Sequence, residues 1–192
     1  MSLHKEINDK IHGRLAITID ETDMLYKYAD RPGIHLEIGT LWGGTAIVAA
    51  LAKRKHGNGS MVITIDFMKG GYWEHGDPGC KLECPTQNII KQNLKKFDVF
   101  DLVAVIKAES NPLPIEASIK PVTVLIDAGH TYEACLADWN NIKALKPKFV
   151  IFHDYNTGKH PGVQRVVDEV VKNDNQWQEV ELVNTMIVFK AK

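Results

Sequence analysis

The chain reads as an α/β domain, a mostly parallel sheet with helices packed on both faces. Three observations predict it. Short apolar, β-branched runs alternate five times with stretches whose apolar residues recur at helical spacing, the pattern of consecutive βα units. Most of these runs end on glycine or a polar side chain, as at Gly39, Asp66, Asp127 and His153, so reactive groups gather at the carboxyl edge, where open parallel sheets take ligands. The last two apolar runs, Trp177 to Leu182 and Met186 to Phe189, are separated only by Val183-Asn184-Thr185. That is too short for a crossover helix, so they form an antiparallel hairpin.

With 192 residues the chain suits one domain, 1–192, with a sizeable core. A formal charge of −1 gives no basic excess to favour nucleic acid or an anionic membrane as partner. No window is apolar for long enough to span a bilayer, and the polar start M-S-L-H-K-E-I-N-D-K does not read as a signal peptide, so the expectation is a cytoplasmic protein. Cys80, Cys84 and Cys135 are too few for a disulfide scaffold. Cys80 and Cys84, with His75 upstream, lack the second ligand pair of a structural zinc site and read as ordinary thiols.

Within residues 1–32, Thr18-x-x-Glu21 is a capping box that starts a helix over about Asp20–Tyr28, and Asp30-Arg31-Pro32-Gly33 stops it. This segment either covers the ligand cleft or packs on the sheet edge. The first strand is Ile34 to Ile38, followed by a turn through Gly39-Thr40-Leu41-Trp42 and a helix opening at Gly43-Gly44-Thr45. Met61 to Ile65 is the second strand, ending at Asp66. From Phe67 to Pro85 the periodicity dissolves, and Tyr72, Trp73, Glu74 and His75 make this loop a candidate substrate lid. Helical spacing returns at Ile89, Ile90, Leu94 and Phe97. Strands follow at Asp101–Ile106, Val122–Ile126 and Phe149–Phe152, with a helix from Thr131 to Lys146 and another from Pro161 to about Lys172.

The first turn carries the first chemical signal. A strand, a glycine bend and a helix start point several backbone N–H groups at one place. Glu37 beside them would repel a pyrophosphate but suits an ammonium or ribose hydroxyls. The dinucleotide fingerprint needs glycine two residues after Gly39, and Leu41 stands there, which counts against a nicotinamide cofactor. Asp66, with Phe67 next to it, ends the second strand where a carboxylate can take both ribose hydroxyls. Glu109 and Ser110, at the third strand tip, can bond an adenine edge or simply be solvated.

The second signal is D-A-G-H-T-Y-E with F-H-D-Y. Asp127 and Asp154 end buried strands, and carboxylates converging in a poorly solvated cleft raise one another's pKa unless a cation intervenes. A divalent metal on Asp127, His153 and Asp154 would resolve that, Mg²⁺ first by its preference for oxygen, with the imidazole favouring Mn²⁺, Fe²⁺ or Zn²⁺. His130, three residues after Asp127, has the chemistry of a general base for a hydroxyl.

Together these motifs resemble a known family. E-I-G-T-x-x-G-G-T looks like the first motif of class I S-adenosylmethionine-dependent methyltransferases. L-I-D-A-G-H-T-Y-E, V-I-F-H-D-Y and P-G-V resemble the branch containing the macrocin and mycinamicin sugar O-methyltransferases and, more distantly, cephalosporin hydroxylase. The likeness runs from about Gly33 to the C-terminus. It implies a Rossmann-like, seven-stranded sheet with a C-terminal antiparallel hairpin, and O-methylation of a small-molecule hydroxyl. It also implies cofactor contacts at Glu37, Gly39, Gly43, Gly44 and Asp66, Mg²⁺ on Asp127, His153 and Asp154, and His130 as the base; placement at the same strand tips adds Thr40, Thr45, Phe67, Glu109, Ser110 and Asp127 to the expected cofactor contacts and Asp127 to the catalytic residues. The chain departs from the pattern at His153, where metal-binding relatives carry Asp or Glu, and in D-A-G-H, where D-G-D-H is common. The alternatives are a cofactor-binding protein of this fold without transfer, and a nicotinamide oxidoreductase. A homodimer through the exposed hairpin edge is a further expectation.

Overall fold

The computed structural model describes residues 1–57, 59–68 and 85–192. The expected lid residues Tyr72, Trp73, Glu74 and His75, and the thiols Cys80 and Cys84, lie outside the described residues.

Seven strands form one sheet: β1 (Ile34–Ile38), β2 (Met61–Asp66), β3 (Val103–Lys107), β4 (Pro121–Ile126), β5 (Phe149–Phe152), β6 (Trp177–Val183) and β7 (Met186–Ala191), in the order β3-β2-β1-β4-β5-β7-β6. β1 to β5 are parallel and β7 is antiparallel to both β5 and β6. The hairpin turn is tight because Asn184 takes a left-handed φ of 52°, which asparagine tolerates.

Strands buried on both faces read as continuous apolar runs, and side-chain alternation divides them between two cores. Leu36, Ile38, Val124, Ile126, Val150 and Phe152 pack with Cys135, Trp139 and Ile142 of α5 (Tyr132–Leu145) and with Val163 and Val166 of α6 (Pro161–Val166). Val62, Leu125, Ile151 and Val188 point the other way. They meet α2 (Ile19–Ala29), α3 (Gly44–Lys53) and α4 (Gln87–Lys96).

Three features were not expected. α1 (Leu3–Lys10) buries only Ile7 and has little apolar periodicity; Ser2 caps it, and Lys5–Asp9 and Glu6–Lys10 pair along its exposed face. β3 starts two residues later than its apolar run, because Phe100–Leu102 turn as a 3₁₀ helix. α6 gives way after Val166 to a π turn, Val167–Val171.

The N-terminal segment is tied down at two places. Asn93 of α4 donates to the carbonyls of His12 and Trp42, both at 2.9 Å, and accepts the His12 N–H. That ties the segment to the glycine turn after β1. α2 also reaches the far hairpin, where Lys27 and Tyr28 bond Glu181. Among the described residues no helix is long and apolar enough to cross a membrane.

Candidate active site at the carboxyl edge of the sheet

The central strand tips are laced together by backbone. The Gly39 N–H donates to Ile65 O, the Asp127 N–H to Ile38 O and the His153 N–H to Ile126 O. Gly39 has φ +97°, and a Cβ there would lie 1.9 Å from the Asp127 carbonyl oxygen. Only glycine lets the β1 and β4 turns cross this closely.

Glu37 is fully buried on the face of β1 that it shares with His35. Its Oε1 accepts from Thr64, whose hydroxyl also meets that of Thr40. Among the described residues its Oε2 has no hydrogen-bond partner. Burial raises its pKa to about 8; the Thr64 and Thr45 hydroxyls oppose the shift, and the charges of Asp127 and Asp66 add to it. A buried carboxyl with one idle oxygen is costly unless a donor arrives. Gly43 is left-handed and opens α3 beside it, with Gly44 and Thr45 in the first turn.

Asp66 sits next to this bend but serves the protein first. Its Oδ2 accepts the N–H groups of Thr40 (2.8 Å) and Leu41 (3.1 Å), and its Oδ1 accepts that of Met68. The N–H groups expected to point at a ligand are thus partly satisfied by Asp66 itself. Phe67 is exposed beside it. Glu109 is exposed, whereas Ser110 engages α5: its carbonyl accepts from Asn141, and its hydroxyl bonds Asp138. The structure therefore brings Glu37, Gly39, Thr40, Asp66 and Asp127 together and turns Ser110 toward the helix behind them.

On the β4–β5 side, one carboxylate gathers three imidazoles. His130 Nε2 lies 2.9 Å from Asp154 Oδ2, His153 Nδ1 3.6 Å and His160 Nε2 3.8 Å. Burial works to raise the Asp154 pKa, but the His130 hydrogen bond and the three imidazole charges outweigh it and hold the pKa below its ordinary value. His130 and His160 stack at 4.0 Å between centroids. Their loops are locked together, since a Cβ on Gly162 would fall 2.4 Å from both the His130 carbonyl and the Tyr132 nitrogen. Asp154 itself is left-handed at φ 59°, a conformation that persists where surrounding structure enforces it.

His153 is enclosed by acids. Nδ1 lies 3.0 Å from Asp127 Oδ1, and Nε2 lies 3.9 Å from Glu21 Oε2. Burial alone would lower its pKa; Asp127, Asp154 and Glu21 overcome that and raise it to about 9. Donor atoms of Asp127, His153 and Asp154 all lie within 4.8 Å of one another, so the spacing admits a cation. The chemistry fits Mg²⁺ poorly. One of the three is an imidazolium already bonded to Asp127, and it supplies the positive charge that a metal would otherwise bring.

Glu21 and His160 are the residues that the sequence reading missed. The T-x-x-E box does cap α2: Glu21 Oε2 accepts the Thr18 N–H. Its Oε1 also accepts the Thr185 N–H and hydroxyl from the β6–β7 turn. Burial would raise its pKa, and these hydrogen bonds with His153 lower it. The only hint for His160 was its place before Pro161-Gly162 at a helix start.

No protein-family profile and no curated protein sequence matches the chain. Solved structures do. The O-methyltransferase NovP superposes with a TM-score of 0.71 at 19% identity, over 97% of this chain and 88% of that one. Cofactor-bound Rv0187 from MTB gives 0.69 at 16% identity, over 98% and 87%. The Bacillus cereus O-methyltransferase in complex with SAH gives 0.64 at 15% identity, over 100% and 91%. The parallel core, the final antiparallel pair and these superpositions give the chain the Rossmann-like fold of the O-methyltransferases.

Proposed function

We propose that this protein transfers a methyl group from S-adenosylmethionine to a hydroxyl oxygen of a small molecule. The observation that carries the proposal is the pairing, at one sheet edge, of a buried carboxyl oxygen on Glu37 with His130 and Asp154, 2.9 Å apart at the next two strand tips. Structures of this fold described as holding SAM or SAH support it.

The residues present fit the cofactor. Glu37 Oε2 suits an ammonium donor. Gly39, Thr40 and the Gly43–Thr45 helix start line the bend next to it, and Asp66 with Phe67 is suited to the ribose and adenine, with Glu109 at the neighbouring tip. Bound there, S-adenosylmethionine supplies the methyl group and a sulfur that leaves with the C–S electron pair. The chain supplies alignment and proton transfer. His130, whose Nε2 lies 2.9 Å from the Asp154 carboxylate, is suited to take the acceptor's hydroxyl proton while the oxygen forms its bond to carbon. Asp127 is held by His153, and through it Glu21 bears on the same edge. No step requires a metal at Asp127, His153 and Asp154.

Calorimetric titration with S-adenosylhomocysteine, followed by methyl transfer assays on sugar and phenolic acceptors, tests this reading. Micromolar binding, with turnover lowered by roughly 10²- to 10⁴-fold in His130→Ala, is the expected result. Binding with no turnover on any hydroxylated acceptor favours a protein that only holds the cofactor. Binding of NAD(P)H in place of S-adenosylhomocysteine overturns the proposal. The outer strand β6 exposes Val180 and Leu182, which suits pairing with a second copy; light scattering tests that dimer.

A further inference from the structure

We propose that His130, Asp154 and His160 form a binding site for a borderline divalent cation of the Zn²⁺ class, one step outside the Asp127–His153 pair. The donor atoms all lie within 4.8 Å of one another. Zn²⁺ bonds imidazole nitrogen and carboxylate oxygen at about 2.0–2.2 Å, which puts tetrahedral ligands roughly 3.4 Å apart. The two measured separations from Asp154 Oδ2, 2.9 Å to His130 Nε2 and 3.8 Å to His160 Nε2, bracket that figure. Closing the site requires the stacked His130 and His160 rings to turn until both Nε2 lone pairs meet one ion.

The donor set decides the class of ion. Two imidazoles and one carboxylate favour Zn²⁺, Co²⁺ or Fe²⁺ over Mg²⁺, which prefers oxygen. The three side chains are each partly exposed, so a cation can enter and keep water in its remaining position. Their loops are already fixed by the Gly162 contact and the left-handed Asp154, so reordering on binding is confined to the two imidazole rings. His153 stands 3.6 Å from the same Asp154 oxygen and opposes a dication, while Asp127, bonded to His153, offsets part of that charge.

Occupancy has a chemical consequence. With a cation on His130 Nε2 the neutral ring carries its proton on Nδ1, so neither nitrogen can accept another. Zn²⁺ at this site therefore inhibits methyl transfer. This inhibition rests on the base role proposed for His130; the cation site itself does not.

The test is Co²⁺ titration of the full chain carrying Cys80→Ser and Cys84→Ser, which removes competing thiolates, followed by visible absorption. One equivalent of Co²⁺ with nitrogen/oxygen-type bands is expected, with affinity at least 10-fold weaker in His160→Gln and in His130→Gln and weakened less than that in Asp127→Asn. Thermal melts establish that each variant is folded. Absence of a band at millimolar Co²⁺ overturns the site, as does a band indifferent to both histidine substitutions or one lost only in Asp127→Asn. S-adenosylhomocysteine titration of the same samples reads the cofactor proposal separately, since a Co²⁺ band without that binding leaves the cation site standing alone.

Discussion

Glu21, the capping residue of α2, lies 3.9 Å from the Nε2 of His153 at the tip of β5. A side chain near the start of the chain thus completes the acidic enclosure of an imidazole at the candidate active site. Asp127 and Asp154 close its other side.

That enclosure makes stability depend on pH. The His153 pKa rises from 6.5 to about 9 on folding, so its contribution is fully present below pH 6.5 and is lost as the pH climbs through 9. At most about 3 kcal/mol is involved. Glu37, raised to about 8, also favours the folded state at low pH, losing its contribution from 4.5 upward. The difference between wild type and His153→Asn isolates the histidine: thermal melts from pH 6 to 9.5 are expected to show a steeper fall for wild type.

Glu37 is expected to release a proton when the cofactor binds. With its pKa near 8 the empty site is mostly protonated at pH 7, and a bound ammonium favours the carboxylate. Calorimetry with S-adenosylhomocysteine in buffers of different ionisation enthalpy should show release of close to one proton. Glu37→Gln should abolish the release and weaken binding by about 10-fold or more, as loss of a charged hydrogen bond does.

Gly39→Ala should be among the most damaging single substitutions. It combines a left-handed φ with a Cβ 1.9 Å from the Asp127 carbonyl, and a loss of more than about 3 kcal/mol is expected. Gly158→Ala has a similar φ of +70° but nothing within 4 Å, so it should cost only about 1–2 kcal/mol. Chemical denaturation of the two variants compares them directly.

Cys135 is buried in the core beneath α5, and that burial, aided by the charge of Asp138, pushes its thiol up to about 12. It should resist iodoacetamide at pH 8 in the native protein and react once denatured. Peptide mass mapping at Cys135 checks this.

The strands and the final hairpin could be read directly because each is a short apolar run between breakers, and burial on both faces leaves little room for another reading. The Glu37–Gly39 bend and the Asp127–His130 tip were legible for the same reason, being the polar ends of such runs. Asp66 was legible in position but not in engagement: only the fold shows its carboxylate accepting three backbone N–H groups. Glu21 read as a cap and is one, yet its bonds to Thr185 and its approach to His153 depend on a turn 164 residues away. His160 depends on the left-handed residues Asp154 and Asn156, which fold its loop back over His130. α1 escaped notice because surface charge pairs and a cap hold it in place of an apolar stripe.

The bonds from Glu21 to Thr185 also bear on biosynthesis. A chain emerging from the ribosome makes α2 first, but the hydroxyl and amide that orient its capping glutamate belong to a turn made 164 residues later. The site is therefore finished only once the β6–β7 turn has been made, and a product cut short before β7 would carry the glycine bend and the histidines without the clamp that sets them.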